Sequence, residues 1–342
     1  MRRISVAAAC AMALSVATVV GQQPAPVREF DLTLTPEHVH WGYYDSQVTP
    51  VLRVPSVSRI HVETMVAGGT QRLRLAGATD AEIPDALKAV EQRITQRGPG
   101  VHPLTGPIYV EGAEPGDTLE VRIVAIDFLH PFGVVTFNPG TSQLPNDFPY
   151  AQYKLLRWKP GAQTIEFKPG VTLRIAPFWG SIGVAPPPLA GRISSRPPGW
   201  HGGNLDNKEL GVGSTLYLPV HVPGALLSMG DGHALQAGGE VTGTAAETSL
   251  RGTIEIRVRK GQRLKWPRAD TPTHYITMGL SEDLDEAARQ ATREMVDFLV
   301  AEKGFTRDDA FLLCSLACDL HVTQAVDQTV GAHMMLAKAV VR

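Results

Sequence analysis

Along most of the chain, apolar residues fall at every second position, in short runs cut by Gly and Pro. RIHVETMV (59–66) is such a run: Ile60, Val62 and Thr64 fall on one side of a strand, His61, Glu63 and Met65 on the other, and GGT ends it. EPGDTLEVRIV (114–124) and KPGVTLRIAPF (168–178) each open on a Pro-Gly turn and pass through Thr-Leu into alternation. They predict two similar hairpin starts in one sheet system. GSTLYLPVHVPGALLSMGD and TSLRGTIEIRVRKGQRL continue the period of two.

The period lengthens to that of a helix in three places. Residues 80–97 place Ile83, Leu87, Val90 and Ile94 on one face. SEDLDEAARQATREMVDFLVAEKG carries Leu284, Ala287, Ala288, Ala291, Met295, Phe298 and Leu299 on one stripe, with Ser281 as the expected cap, acids in the first turn and Gly304 at the end. TRDDAFLLCSLA predicts a second helix capped by Thr306, with Asp309 at the third position. DLHVTQAVD then returns to a strand pattern. The expected fold class is mainly β with an α+β C-terminal part: a β core over 22–270 and an α+β portion over 271–342 packed on it.

Composition supports the β reading. Of 342 residues, 33 are Gly and 26 Pro, which implies many turns, and the 43% hydrophobic content is enough for a real core. The first 21 residues, MRRISVAAACAMALSVATVVG, have two arginines and then a short, alanine-rich apolar run, which reads as a secretory signal peptide and predicts an exported, periplasmic or secreted, protein. Removing Arg2 and Arg3 leaves 30 basic against 34 acidic residues, no electrostatic basis for binding nucleic acid. No later stretch is apolar for long enough to span a bilayer. Cys314 and Cys318 sit one helical turn apart, a poor disulfide geometry, so two thiols are expected.

Three polar constellations are candidates for chemistry. GWHGGNLDNKELGVG holds His201, Asn204, Asp206 and Glu209 among glycines. GDGHALQAGGE holds Asp231, His233, Gln236 and Glu240, with Glu247 further on. HVE puts His61 and Glu63 on one face of a strand. On an extended backbone, Asp231 and His233 point to the same side. His, Asp and Glu with an open position suit zinc or a similar divalent ion and its activated water. The plainer reading of Asp-Gly is a hairpin turn, of His201 a loop histidine, and of Glu63 a solvated strand position. GxSxG, P-loop, HExxH and CxxC patterns are all missing, so no nucleophile or nucleotide motif is supported.

Four segments resemble the acetamidase/formamidase family: HPLTGPIYVEGAEPGDTLEV, FWGSIGVAPPP, GWHGGNLDNKELGVGSTLYLPVHVPGALLSMGDGHALQAGGEVTGTAAE and LHVTQAVDQTVGAHM. Together they extend the likeness over roughly residues 30–340. The resemblance implies a jelly-roll-like β-sandwich with an α+β portion, a homo-oligomer, and hydrolysis of short aliphatic amides to a carboxylate and ammonia. It implies a site lined by His201, Gly202, Gly203, Asn204, Asp206, Gly230, Asp231, His233, Gly238 and Glu240. On this reading a divalent ion is held by some of His201, Asp206, Asp231 and His233. Glu240 is the general base, Glu63 and Asp231 are further catalytic carboxylates, and Gly202, Gly203, Asn204 and Gly232 line the substrate. Two alternatives stay open: a metal-free amidase in which Glu240 and Glu63 act on water, and an exported binding protein with a decayed site. The second draws on a departure from the family pattern, because Val66 and Ala67 stand where the family often carries an aspartate.

Overall fold

The period-two runs pair into two nine-stranded sheets in the computed structural model of the protein, which describes residues 27–341. The expected signal peptide lies outside the described residues. The first sheet runs Arg28–Leu32, Ser58–Glu63, Leu250–Arg259, Thr118–Phe128, Thr215–Pro219, Arg268–Asp270, His274–Ser281, Val330–Ala337, Cys318–Gln324. The second runs Gly202–Asn204, Phe178–Gly183, Leu227–His233, Glu247–Thr248, Phe132–Phe137, Gln152–Arg157. Pro103–Val110 joins it beside Leu227–His233 and carries Val39–Trp41 and Leu52–Val54.

The alternation explains how the sheets meet. Ser58–Glu63 is buried at every second residue. Its Ile60 joins Leu119, Val121 and Ile254 of the first sheet and Ile108, Trp179, Ile182 and Met229 of the second in one apolar cluster. Burying side chains of this size contributes about 1.5–3 kcal/mol each, so the shared layer between the sheets is the main stabilising element. The fold is mainly β, as expected.

Among the described residues four α-helices punctuate it: α1 (Gly69–Leu75), α2 (Asp85–Arg93), α3 (Leu284–Lys303) and α4 (Arg307–Ala317). The first was not legible, because GGT reads as a strand stop and the helix has only seven residues. The second is shorter than its apolar stripe, with Pro84 fixing its start. In α3 the cap is Asp283, whose side chain accepts from the Glu286 N–H at 2.9 Å. Ser281 is spent as the last residue of the strand His274–Ser281. Thr306 caps α4 as expected, and Cys314 and Cys318 are free thiols. The C-terminal strands continue the first sheet through Ala269 opposite Ile276, and α3 and α4 bury Met295, Leu299 and Cys314 against Met334 and Leu336.

One sheet expectation fails. Thr118–Phe128 lies at the centre of the first sheet, but Val171–Arg174 pairs only with Thr164–Lys168 in a separate two-stranded ribbon. The shared Pro-Gly-x-Thr-Leu start sets a turn and a strand, not the sheet that the strand joins.

Candidate active site

The glycine-rich stretch that begins at Gly230 is not a flexible loop. Leu227–His233 is a central strand of the second sheet with all seven residues buried. Its glycines are there because neighbours crowd it: a Cβ on Gly230 would lie 2.4 Å from the Pro103 carbonyl oxygen, and one on Gly232 2.6 Å from Leu250 Cγ. The strand register sends Asp231 and His233 to the same side. Gly180, on the neighbouring strand, forms the floor beneath them. A Cβ there would meet Asp206 Oδ1 at 2.3 Å, Asp231 Oδ2 at 2.6 Å and His233 Cε1 at 2.8 Å.

Asp206 arrives from the end of Gly202–Asn204, its N–H bonded to the Gly180 carbonyl at 3.1 Å. Glu247 stands opposite His233 across the strand pair. Glu240 follows a loop that is tied to the C-terminal segment, Gly239 N–H donating to Thr323 and Ala325 N–H to Gly239, both at 3.0 Å. Asp206, Asp231 and Glu240 all have positive φ, at 47°, 56° and 44°. That conformation costs an L residue about 1–2 kcal/mol, and such strain concentrates where surrounding structure fixes functional groups.

The hydrogen bonds determine how His233 is oriented. Gln236 Nε2 donates to the Asp206 carbonyl oxygen at 2.7 Å. Its Oε1 is therefore the acceptor facing His233 Nδ1 at 2.9 Å, and Nδ1 carries a proton. The other ring nitrogen, Nε2, lies 3.3 Å from Asp231 Oδ2, 3.5 Å from Glu247 Oε2 and 3.8 Å from Asp206 Oδ1. It is buried without a hydrogen-bond partner, as are Asp206 Oδ1 and Glu247 Oε2. His102 repeats the arrangement: Nδ1 donates to the Ser195 carbonyl at 3.0 Å, and Nε2 sits 3.8 Å from Asp231 Oδ2. Buried groups of this kind need a partner, and a ring whose far nitrogen is tied down is how metal-bound histidines are oriented.

Electrostatics point the same way. Burial pushes the carboxyls of Asp206 and Glu240 well above the ordinary range, with neighbouring carboxylates adding to it. Burial raises Glu247 to about 8. Burial alone would lower His233, but Glu247 and Asp231 outweigh it and raise the ring to about 10. For Asp231, burial acts upward, and His102 and His233 overcome it and hold the carboxyl below its usual range. The cluster therefore sets a surplus of buried carboxyls against one central imidazole. Asp206, His233 and Glu240 form one group able to hold a metal ion, and Asp231, His233 and Glu247 form another, the ligand atoms of each within 4.8 Å. The donor set of one imidazole and several carboxylates fits a divalent cation.

The cluster opens on a cavity of about 230 Å³ whose wall includes Asp206, Asp231, Glu240, Glu247, Asn204 and Asp327. Asn204 donates through Nδ2 to Asp206 at 2.6 Å and Asp327 at 3.1 Å, so its amide holds carboxylates and is not free for substrate. Ala67 lies in the wall as well.

Five of the expected site residues lie elsewhere. His201 packs edge-on against Tyr44 at 5.0 Å and beside Trp200, outside both candidate metal groups, and burial lowers it to about 3. Glu63 accepts from the Leu34 N–H at 3.0 Å and lines a groove on the first sheet with Asp31 and His61. Gly202 and Gly203 meet Ile182, Leu218 and His201, and Gly232 faces Leu250; none of the three lines the cavity. Conversely, His102, Gly180, Asp327 and Arg72 were not singled out as site residues. Only Glu247, already noted beside its constellation, carried a local signal.

A family model described as the Acetamidase/Formamidase family matches residues 59–196 and 190–337. A formamidase of Methylophilus methylotrophus is 32% identical over 254 residues, which is 56% of this chain and 62% of that protein. An acetamidase of Mycolicibacterium smegmatis is 29% identical over 269 residues, 60% of this chain and 66% of that protein. The matched stretch thus spans less than two thirds of these relatives' own length. The crystal structure of an acetamidase from Bacillus halodurans superposes with a TM-score of 0.78 at 32% identity, covering 91% of this chain and 98% of that one. A gamma lactamase from Delftia acidovorans shares the fold alone, with a TM-score of 0.60 at 23% identity over 92% of this chain and 93% of that one. With nearly the whole of an acetamidase structure reproduced and the family model matched along most of its length, the chain belongs to the acetamidase/formamidase family.

Proposed function

We propose that this protein hydrolyses a short aliphatic amide of the formamide or acetamide type to a carboxylate and ammonia. The observation that carries the proposal is the orphaned Nε2 of His233, held by Gln236 toward three carboxylates in the wall of a small cavity. His233 and Asp231 would hold a cation, with Glu247 completing the set. Bound there, a divalent ion, zinc by the donor set, supplies Lewis-acid polarisation of the amide carbonyl and makes a water more acidic. Glu240, buried at the cavity wall, is the base in its ionised form: it takes the proton from the attacking water and gives it to the nitrogen that leaves as ammonia. Gln236 keeps His233 in one tautomer, and Asn204 keeps Asp206 and Asp327 in place.

A metal-free amidase is the second reading. The raised His233 favours it, because an imidazolium would itself be the missing positive charge. The scaffold goes with the first reading as a jelly-roll-like sandwich, supported by the two sheets that share one core. An exported homo-oligomer is the cellular form we propose, the export resting on the first 21 residues alone.

The test is elemental analysis of the purified protein with ammonia release from formamide and acetamide before and after chelation. Stoichiometric metal, with activity lost on chelation and restored by zinc, is the expected result. Full activity without metal would select the imidazolium reading. No ammonia from any short amide would refute the amidase proposal.

A further inference from the structure

The cavity is larger than the smallest amides require, and its surplus is charged. It measures about 230 Å³, about twice the room of a four-heavy-atom amide, given that one water takes about 30 Å³ of liquid. Two guanidinium groups stand in its wall, Arg196 and Arg72. Arg196 is committed: its Nε lies 3.3 Å from Asp327 Oδ1. Arg72 is not. Among the described residues it forms no side-chain hydrogen bond and no ion pair within 4.0 Å. It projects from α1 and folds back over Gly68, where a Cβ would come within 2.7 Å of its Nε. Its charge reaches Glu247 and His102, so the guanidinium faces the same cavity as the carboxylate cluster. Ala67 and Val101 give the wall near it an apolar surface.

We propose that Arg72 is a specificity-determining residue that binds a carboxylate at the far end of the substrate, and that the preferred substrate is the half-amide of a short dicarboxylic acid. The inference rests on the amidase reading and narrows it. An amide at one end reaches the His233 cluster, methylenes lie along Ala67 and Val101, and the terminal carboxylate takes the planar fork of Arg72. Arginine suits this task because its donors match a carboxylate two at a time. The acidic cluster repels an anion, so the substrate is oriented with its amide inward. A neutral amide of the same length gains nothing from Arg72.

The experiment compares kcat/KM for succinamate with that for butyramide, its near-isostere with a methyl in place of the carboxylate, and then runs malonamate and glutaramate to read the length. The wild type should prefer succinamate or a neighbour in the series by about 10–100-fold, the range of a charge-assisted hydrogen bond. Arg72→Gln should collapse that ratio toward one, with KM for the half-amide rising more than kcat falls, and Arg72→Lys should restore part of it. A wild type that prefers butyramide overturns the proposal without any variant. So does an Arg72→Gln enzyme in which both substrates slow equally, because that is what a merely structural arginine would give. If no amide releases ammonia, the amidase reading fails separately, and calorimetry with succinate then decides on Arg72: binding weakened about 10–100-fold by Arg72→Gln keeps the carboxylate subsite, and no binding to the wild type removes it.

Discussion

Gly180→Ala is the sharpest perturbation of the site, because it adds one methyl group and changes no charge. The added Cβ would lie 2.3 Å from Asp206 Oδ1, 2.6 Å from Asp231 Oδ2 and 2.8 Å from His233 Cε1. Ordinary contact begins near 3.4 Å, so these groups must separate by up to about 1 Å or the strand Phe178–Gly183 must back away. Neither is easy: the Gly180 carbonyl is bonded to the Asp206 N–H, and the strand is paired on both sides. Overpacking of this kind costs about 1–3 kcal/mol, which for a chain of this size lowers Tm by roughly 1–5 °C. The effect on turnover should be much larger than the effect on folding, since a shift of about 1 Å in reacting groups costs on the order of 100-fold. Metal content and kcat per folded molecule are the assays. Gly213→Ala is the control: it strains a backbone at φ 91° and meets only Pro272, at 3.2 Å, so it should lower Tm yet leave turnover intact. A Gly180→Ala protein with wild-type metal content and turnover would refute the placement of the reaction over this floor.

Three further outcomes follow from the same geometry. Glu240→Gln keeps shape and removes the proton carrier, so kcat should fall by about 10²–10⁴-fold while metal content is retained; a fall of less than threefold in steady-state turnover would take Glu240 out of the reaction. For the metal-free protein, stability should decline as pH rises. Glu247 moves from its ordinary 4.5 to about 8 on folding, so its contribution is full below 4.5 and lost as pH climbs through 8, and Asp206, Glu240 and His233 shift in the same upward direction. Below about pH 6.5 the buried histidines whose rings burial lowers, His201 among them, work in the opposite sense, so the decline in Tm of the chelated protein should show between pH 7 and pH 9, and a divalent cation should flatten it; a rising Tm over that range contradicts it. Asp283→Ala should cost about 0.5–2 kcal/mol through loss of the α3 cap, seen in urea unfolding, whereas Ser281→Ala should cost less.

Parts of this arrangement were legible before any coordinates. The period of two announced the central strands Ser58–Glu63, Thr118–Phe128 and Leu250–Arg259, because each has one face in the core and one outside. Asp231 and His233 were legible as a same-side pair from the period of two, although Asp231 reaches that position at a positive φ that the pattern did not announce. Two kinds of information were not in the pattern. The first is which distant segments converge. His102, Gly180 and Asp327 reach the cavity from three separate stretches, and nothing local distinguishes His102 from the buried His130 or His40. The second is what a glycine is for. The glycines of GDGHALQAGGE carry no such label in the sequence: Gly230 and Gly232 are small because Pro103 and Leu250 press on them. The family resemblance placed Gly202, Gly203 and Gly232 at the substrate and His201 in the ligand set. In space, Tyr44 stands against His201, while Asp206, five residues on, turns at positive φ into the cluster.

That turn shows how the two sheets divide the work. Asp231, His233 and Glu247 sit on paired strands, where register fixes them to within a fraction of the strand spacing. Asp206 and Glu240 sit outside the strands, and although Asp231 shares their left-handed φ, only these two depend on loop hydrogen bonds to hold it. The Glu240 loop is fastened not to its own sheet but to Thr323 and Ala325, at the end of the outermost strand of the other sheet. Asp327 and its contact with Arg196 come from the same segment. The proposed proton carrier is thus positioned by the C-terminal portion, while the proposed cation ligands are positioned by the second sheet. Loosening the Thr323–Ala325 anchor should impair proton transfer before it impairs metal binding, because no candidate ligand on the paired strands depends on that anchor.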